Sequence, residues 1–195
     1  MRYPGLLLTA ALMLAGREAS AQMIIKNPGQ HPQGPEIEPH LLLRPLRGSG
    51  EDSGVGLGGR FTWQIGKNNF IDKINNSVGI GVGVDWVRYS YRYKCGRDDV
   101  NCRDSADWVL VPVVMQWSFY LSRSWSVFGE PGIMLGTHFH DCQGDGCPRK
   151  GFGFGRGDGV DFFILHVGGR WHFKENMALT LRIGWPYFSA GVSFL

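Results

Sequence analysis

From Val55 to the C-terminus, apolar residues recur at every second position in segments separated by polar, glycine-rich or charged stretches. That is the period of strands, not of helices. The clearest case places Val55, Leu57, Gly59, Phe61, Trp63 and Ile65 on one face and Gly54, Gly56, Gly58, Arg60, Thr62 and Gln64 on the other. A third strand, Ser77 to Lys94, carries Val78, Ile80, Val82, Val84 and Trp86 on one face. It then changes phase so that Val87, Tyr89, Tyr91 and Tyr93 align, which predicts a β-bulge near Trp86. Further strands follow around Val109–Phe119, Val127–Phe139, Phe163–Phe173, Ala178–Trp185 and Tyr187–Phe194. With a first strand near His40 to Arg47, which contains Pro45, the pattern predicts eight.

Each of the five best strands has nine or more residues, enough to cross a hydrocarbon core at a tilt of about 45°. The connections alternate as a membrane barrel requires. Turns at Lys174–Asn176, Leu121–Ser124 and Gly66–Asn76 would lie inside, and connections at Pro186, Asp141–Gly159, Cys95–Asp107 and Arg47–Ser53 outside. Aromatic residues collect at strand ends, where half-buried rings suit the bilayer interface. Trp63, Trp117, Trp125 and Trp171 lie towards the inner ends, and Tyr89, Tyr91, Tyr93, Trp108, Trp185 and Tyr187 towards the outer ends.

Ahead of the strands, residues 1–21 read as an export signal, with Arg2, the apolar run Leu6 to Ala15, and Ala19-Ser20-Ala21 before Gln22. Ten apolar residues are too few for a helix across a core about 30 Å thick. No apolar run of eighteen or more occurs elsewhere, so a membrane-spanning mature chain would have to be a barrel. Residues 22–39, rich in proline and glycine, read as a flexible arm without a core, and 40–195 as the barrel. Composition agrees: 29 Gly, 7 Trp, 12 Phe and 6 Tyr in 195 residues are more than a soluble enzyme usually carries. A net charge of +3 gives no reason to expect nucleic acid as a partner.

The stretches WVLVPVVMQWSFY (Trp108 to Tyr120) and VFGEPGIML (Val127 to Leu135), and the C-terminal alternation Phe188, Ala190, Val192, Phe194, resemble the small eight-stranded, porin-like bacterial outer-membrane β-barrel families. The resemblance covers about 55 to 195. It implies outer-membrane lipid as surroundings and the barrel-assembly machinery as a partner that reads the C-terminal strand. Leu195 departs from the aromatic last residue usual there.

The assigned faces collect Arg60, Asp85, Glu130, His166, Arg170, His172 and Arg182 in the interior. Buried charges must pair, so Asp85 and Glu130 are expected to neutralise Arg60, Arg170 and Arg182. The network would fill the lumen of so narrow a barrel; the competing reading is an ion path or proton relay. Cys95 with Cys102, and Cys142 with Cys147, are each close enough in sequence to close a local disulfide in an exported protein. His138 and His140 beside the second pair are weak metal candidates, and no metal or cofactor is expected. The run GFGFGRGDG, Gly151 to Gly159, lacks the strand and helix a phosphate loop needs and reads as an outer loop, its Arg156-Gly157-Asp158 a short match to an adhesive tripeptide.

Catalysis by a hydroxyl needs a base within reach. Ser118, Ser126, Ser189 and Ser193 have no His two positions away, so no enzyme is expected. The expectation is an all-β, eight-stranded antiparallel up-and-down transmembrane barrel with a structural or surface-binding role at the cell envelope and an unknown surface ligand. The alternatives are a lipid-modifying outer-membrane hydrolase, which would set a serine hydroxyl against His138, His140 or His172 on the outer surface, and a soluble lipocalin-like carrier, which would reverse the faces.

Overall fold

The computed structural model describes residues 23–44, 54–67, 71–95, 100–141 and 163–195. They form eight strands: β1 (Glu36–Arg44), β2 (Gly54–Lys67), β3 (Asn76–Cys95), β4 (Val100–Tyr120), β5 (Trp125–Asp141), β6 (Phe163–Lys174), β7 (Met177–Trp185) and β8 (Phe188–Phe194). Each pairs antiparallel with its chain neighbours, and β1 pairs with β8 to close the ring. Closure gives every strand a partner on both sides, which is what allows a sheet to stand in lipid. No described helix is long and apolar enough to cross a membrane.

The faces are inverted relative to a soluble barrel. Outward positions carry Leu41, Leu57, Trp63, Ile80, Val84, Leu165, Leu181 and Ile183, all exposed, while Arg60, Asp85, Glu130, His166, Arg170 and Arg182 are buried inside. On β4 the outward row Val109–Phe119 is eleven residues long, the length a tilted strand needs to cross a bilayer. This is a transmembrane β-barrel of the outer-membrane type. Its height is uneven: β3, β4 and β5 run 20, 21 and 17 residues, against 9, 9 and 7 for β1, β7 and β8. The expected Cys95–Asp107 connection is therefore largely strand, with β4 starting at Val100.

Three further expectations are corrected. The first strand begins at Glu36, not near His40, so Pro39 lies within it and Pro45 lies beyond it; residues 36–39 are barrel wall. Its inward side chains are Glu36, Glu38, His40 and Leu42, whose acidic alternation resembles an unfolded arm until the interior supplies partners. Second, β3 has no bulge near Trp86. The pairs Leu57↔Trp86 and Gly58↔Asp85 continue without a break, and Asp85, Val87 and Tyr89 all point inward. What changes there is the lumen, which turns from polar to apolar; the register shifts instead at Gln64/Gly66 and His172/Lys174. Third, of the outer aromatic group, Tyr89, Trp108 and Tyr187 are buried in the lumen rather than placed at the lipid interface. The inner group fits better, with Trp125 and Trp171 stacked at 6.4 Å on the exposed face and Trp117 Nε1 donating to Asn76 Oδ1 at 3.2 Å.

Residues 23–35 also differ from a coreless arm. Ile24 is buried, its N–H donates to Leu121 O at 3.0 Å, and the Asn75 N–H donates to Ile25 O at 2.7 Å. Residues 1–21, assigned to the export signal, lie outside the described residues, as does the 151–159 run.

Replacing the outward Val84 with Arg should cost about 2–4 kcal/mol in reversible denaturant unfolding from lipid vesicles; unchanged stability would contradict the outward assignment. A second expectation concerns His31, whose ring meets Tyr120 edge-on at 4.6 Å with both nitrogens buried and without hydrogen-bond partners. Burial holds its pKa below the ordinary histidine value. A base so depressed contributes its full docking stability above the ordinary value near 6.5 and loses it as pH falls below that value. Hydrogen exchange at the Ile24 and Asn75 amides, corrected for intrinsic rates, should accelerate between about pH 7 and 5, and His31→Phe should flatten the trend. A flat wild-type profile would contradict it.

Candidate functional site

The lumen is built in layers because inward positions of neighbouring strands stack at similar depths, and an eight-stranded ring is only wide enough for side chains to meet across it. In the central layer Arg182 of β7 joins two walls. Its Nε donates to Glu130 Oε2 of β5 at 2.9 Å and its Nη2 to Glu38 Oε2 of β1 at 2.9 Å, with Nη1 also on Glu38 Oε1. Arg60 of β2 donates to Glu130 Oε2 at 2.7 Å, and Gln116 of β4 to Glu130 Oε1 at 2.8 Å. Glu38 further accepts from Ser193 Oγ of β8 at 2.9 Å. Six strands thus converge on two carboxylates.

Beside this layer lies His40, with Nδ1 3.5 Å from Glu38 Oε1 and Nε2 2.9 Å from Asp85 Oδ1. Asp85 also accepts from the Tyr187 hydroxyl, and His166 Nε2 lies 3.1 Å from Tyr187 O. Gly58 opposite is a steric requirement: a Cβ there would collide with Asp85 Oδ1 and His40 Nε2. Nearer the inner mouth, Arg170 Nη2 sits 2.8 Å from Glu36 Oε1, and its guanidinium lies over Phe128, 4.4 Å from the ring centre. Gly168 leaves the room that the Phe128 ring occupies. Towards the outer end the lumen is packed with Leu42, Val87, Tyr89, Trp108, Leu110, Val114, Met134 and Ile164.

The expected interior set is brought together, with changed partners. Glu130 neutralises Arg60 and Arg182. Asp85 pairs with His40 and Tyr187, not with an arginine, and Arg170 pairs with Glu36. Glu36 and Glu38 fall before the expected first strand, and His40 begins that strand without belonging to the expected interior set; the period-two run Glu36-Ile37-Glu38-Pro39-His40-Leu41 is the signal that places all three inward. Each buried charge meets an opposite charge or a hydrogen-bonding group, as burial demands.

A serine and a histidine do meet: Ser126 Oγ lies 3.0 Å from His172 Nε2. The pair faces the lumen near its inner end, Ser126 is fully buried, and no carboxylate pairs with His172 among the described residues. It lacks both the access and the orienting acid of a hydrolase. Side chains of Cys95, Cys102, His138 and His140 lie outside the described residues, as do Cys142 and Cys147 altogether. The backbone pairs Cys95 with Val100, Cys102 with Tyr93, His138 with Trp108 and His140 with Ala106.

No family model and no curated protein matches the chain. Solved structures do. Ail, the attachment invasion locus protein of Yersinia pestis, aligns at 11% identity over 84% of this chain and 99% of its own, with a TM-score of 0.46. Its complex with the heparin analogue sucrose octasulfate aligns at 12%, with the same coverage and a TM-score of 0.44. Neisserial surface protein A aligns at 12% over 83% of this chain and 97% of its own, also at 0.44. At such values the likeness adds nothing to the strand pairing, on which the barrel assignment stands.

Replacing Arg182 with Met should destabilise the barrel by about 3–5 kcal/mol in denaturant unfolding, because Glu38 and Glu130 each lose a buried cation. Adding Glu38→Gln to that variant should recover much of the loss, because Glu130 keeps Arg60 as its partner. A single variant as stable as wild type would contradict the network.

Proposed function

We propose that the protein is a bacterial outer-membrane barrel whose wall serves as an anchor and whose outer connections carry any recognition. It is exported through a cleaved signal peptide, surrounded by outer-membrane lipid and inserted by the barrel-assembly machinery, and its surface ligand is still to be identified. The reading rests on one observation: an apolar exterior encloses a lumen filled by charges in its centre and by apolar side chains beyond them. An exterior of that kind is soluble only in lipid, and a lumen so filled offers no wide water path. The uneven height of β3, β4 and β5 lifts one side of the outer end, as suits a projecting surface for binding. On this reading Cys95 with Cys102, and Cys142 with Cys147, tie the outer connections. The role is structural or surface-binding, without catalysis or a cofactor.

The carrier alternative would need a polar outer surface, whereas Leu41, Trp63, Val84, Val167 and Ile183 are exposed. The hydrolase alternative has, among the described residues, the pair Ser126 and His172, whose serine is fully buried.

Membrane fractionation followed by electrophoresis of boiled and unboiled samples, with planar-bilayer recording on the same preparation, tests the proposal. It expects an outer-membrane band that migrates differently unboiled and shows no stepwise current. A soluble, unshifted protein would overturn the anchor, and regular conductance steps would overturn the filled lumen.

A further inference from the structure

The inner mouth of the barrel is crossed by its own N-terminal segment. Met23 bridges to Ser122 in the turn between β4 and β5, and from there the chain runs to β1 at Glu36. In a closed ring of eight, β1 and the β4–β5 turn stand on nearly opposite walls; the segment follows the β4, β3 and β2 side of the rim, and Pro32, Gln33 and Gly34 reach over the opening against Gln116, Arg170 and Leu195. The segment is held on the way. Ile24 N–H donates to Leu121 O at 3.0 Å, Asn75 Nδ2 to Gln30 O at 3.1 Å, and Gln64 Nε2 to Pro32 O at 3.1 Å. The His31 ring rests edge-on against Tyr120. Gly29 and Gly34 adopt φ of 84° and 144°, conformations that favour glycine and let the segment turn back towards β1.

Beneath the crossing lies a cavity of about 10 Å³, enough for a single water, roofed by Pro32, Gln33 and Gly34 and floored in part by Thr62, Gln116 and Arg170. The segment therefore sits directly over the polar layer. Polar rim-to-strap bonds of this kind are individually modest, worth far less than the strand ladders, so the strap opens at less cost than the described strands.

We propose that residues 23–35 form a strap that closes the inner mouth and opens locally while the barrel stays intact, so that it controls the access of water and small hydrophilic solutes to the buried Glu36–Arg170 layer. The inference goes beyond the anchoring role, since a filled lumen needs no strap to be an anchor.

The test places a reporter under the strap. Thr62 is buried, lines the cavity and takes no part in the charged network. Thr62→Cys in the full mature chain, in lipid vesicles with the inner mouth facing the bulk solution, is exposed to a charged, membrane-impermeant thiol reagent, and labelling at position 62 is followed by peptide mass spectrometry. The same substitution is made in a chain lacking residues 23–34 and in one carrying Gln64→Ala and Asn75→Ala. Retained heat-dependent mobility identifies the folded barrels. The strap predicts slow labelling in the full chain and labelling on the order of tenfold faster or more in a folded variant. Equal rates in the full chain and the folded variants, whether fast or slow, would overturn it. If neither variant keeps its folded mobility, the strap is part of the barrel's folding core and the separable closure is likewise overturned.

Discussion

The structure depends on placing charged side chains in a space closed to bulk water by lipid outside and by packed side chains above. Arg182 is the pivot. It reaches Glu38 on one wall and Glu130 on the opposite one, and Arg60, Gln116 and Ser193 complete the coordination of those carboxylates. Ions are costly to bury and attract strongly once buried, so such a cluster contributes less to net stability than to uniqueness. A one-residue slip of any contributing strand would turn its charge into the bilayer. The network thereby enforces the register on which closure depends, including the seam between β1 and β8, where Glu38 and Ser193 meet.

The lumen is stratified, and each layer limits what the molecule can do. Glu36 and Arg170 lie nearest the inner mouth, the Arg182 cluster and the His40–Asp85–Tyr187 group occupy the centre, and the aliphatic and aromatic cluster around Trp108 and Met134 fills the outer part. An apolar plug next to an ion cluster excludes water from its outer side and so strengthens the ion pairs beneath it. Glycine makes the packing possible at Gly58 and Gly168, where any side chain would displace the His40–Asp85 contact or the Phe128 ring.

The sequence made the strands legible wherever one face kept one character. On β2 and β4 the alternation is unbroken, and the outward rows Val55–Ile65 and Val109–Phe119 are the ones assigned from period alone. The reading failed where that assumption fails. On β3 the inward face passes from Gly79, Gly81, Gly83 and Asp85 to Val87 and Tyr89, so a change of lumen chemistry looked like a change of phase. On β1 the inward face is acidic and the strand contains Pro39, so a barrel wall looked like a tail. Which charge meets which is not legible either: Glu130 holds two of the expected arginines, but the partner of Asp85 is His40, which begins the expected first strand without standing in the expected interior set. Partner choice depends on depth and on which walls face each other, and a period along one strand carries neither.

The central claim is the inversion itself, that alternate side chains of the same strands face lipid chains and a closed lumen. Methyl cross-saturation from lipid acyl chains in bilayers tests it most directly, because it reads lipid contact residue by residue. The account predicts transfer to Ile80, Val82, Val84 and Leu165, and none to Leu42, Val87 or Ile164, their inward counterparts. Transfer to the second group and not the first, or to neither, would contradict it.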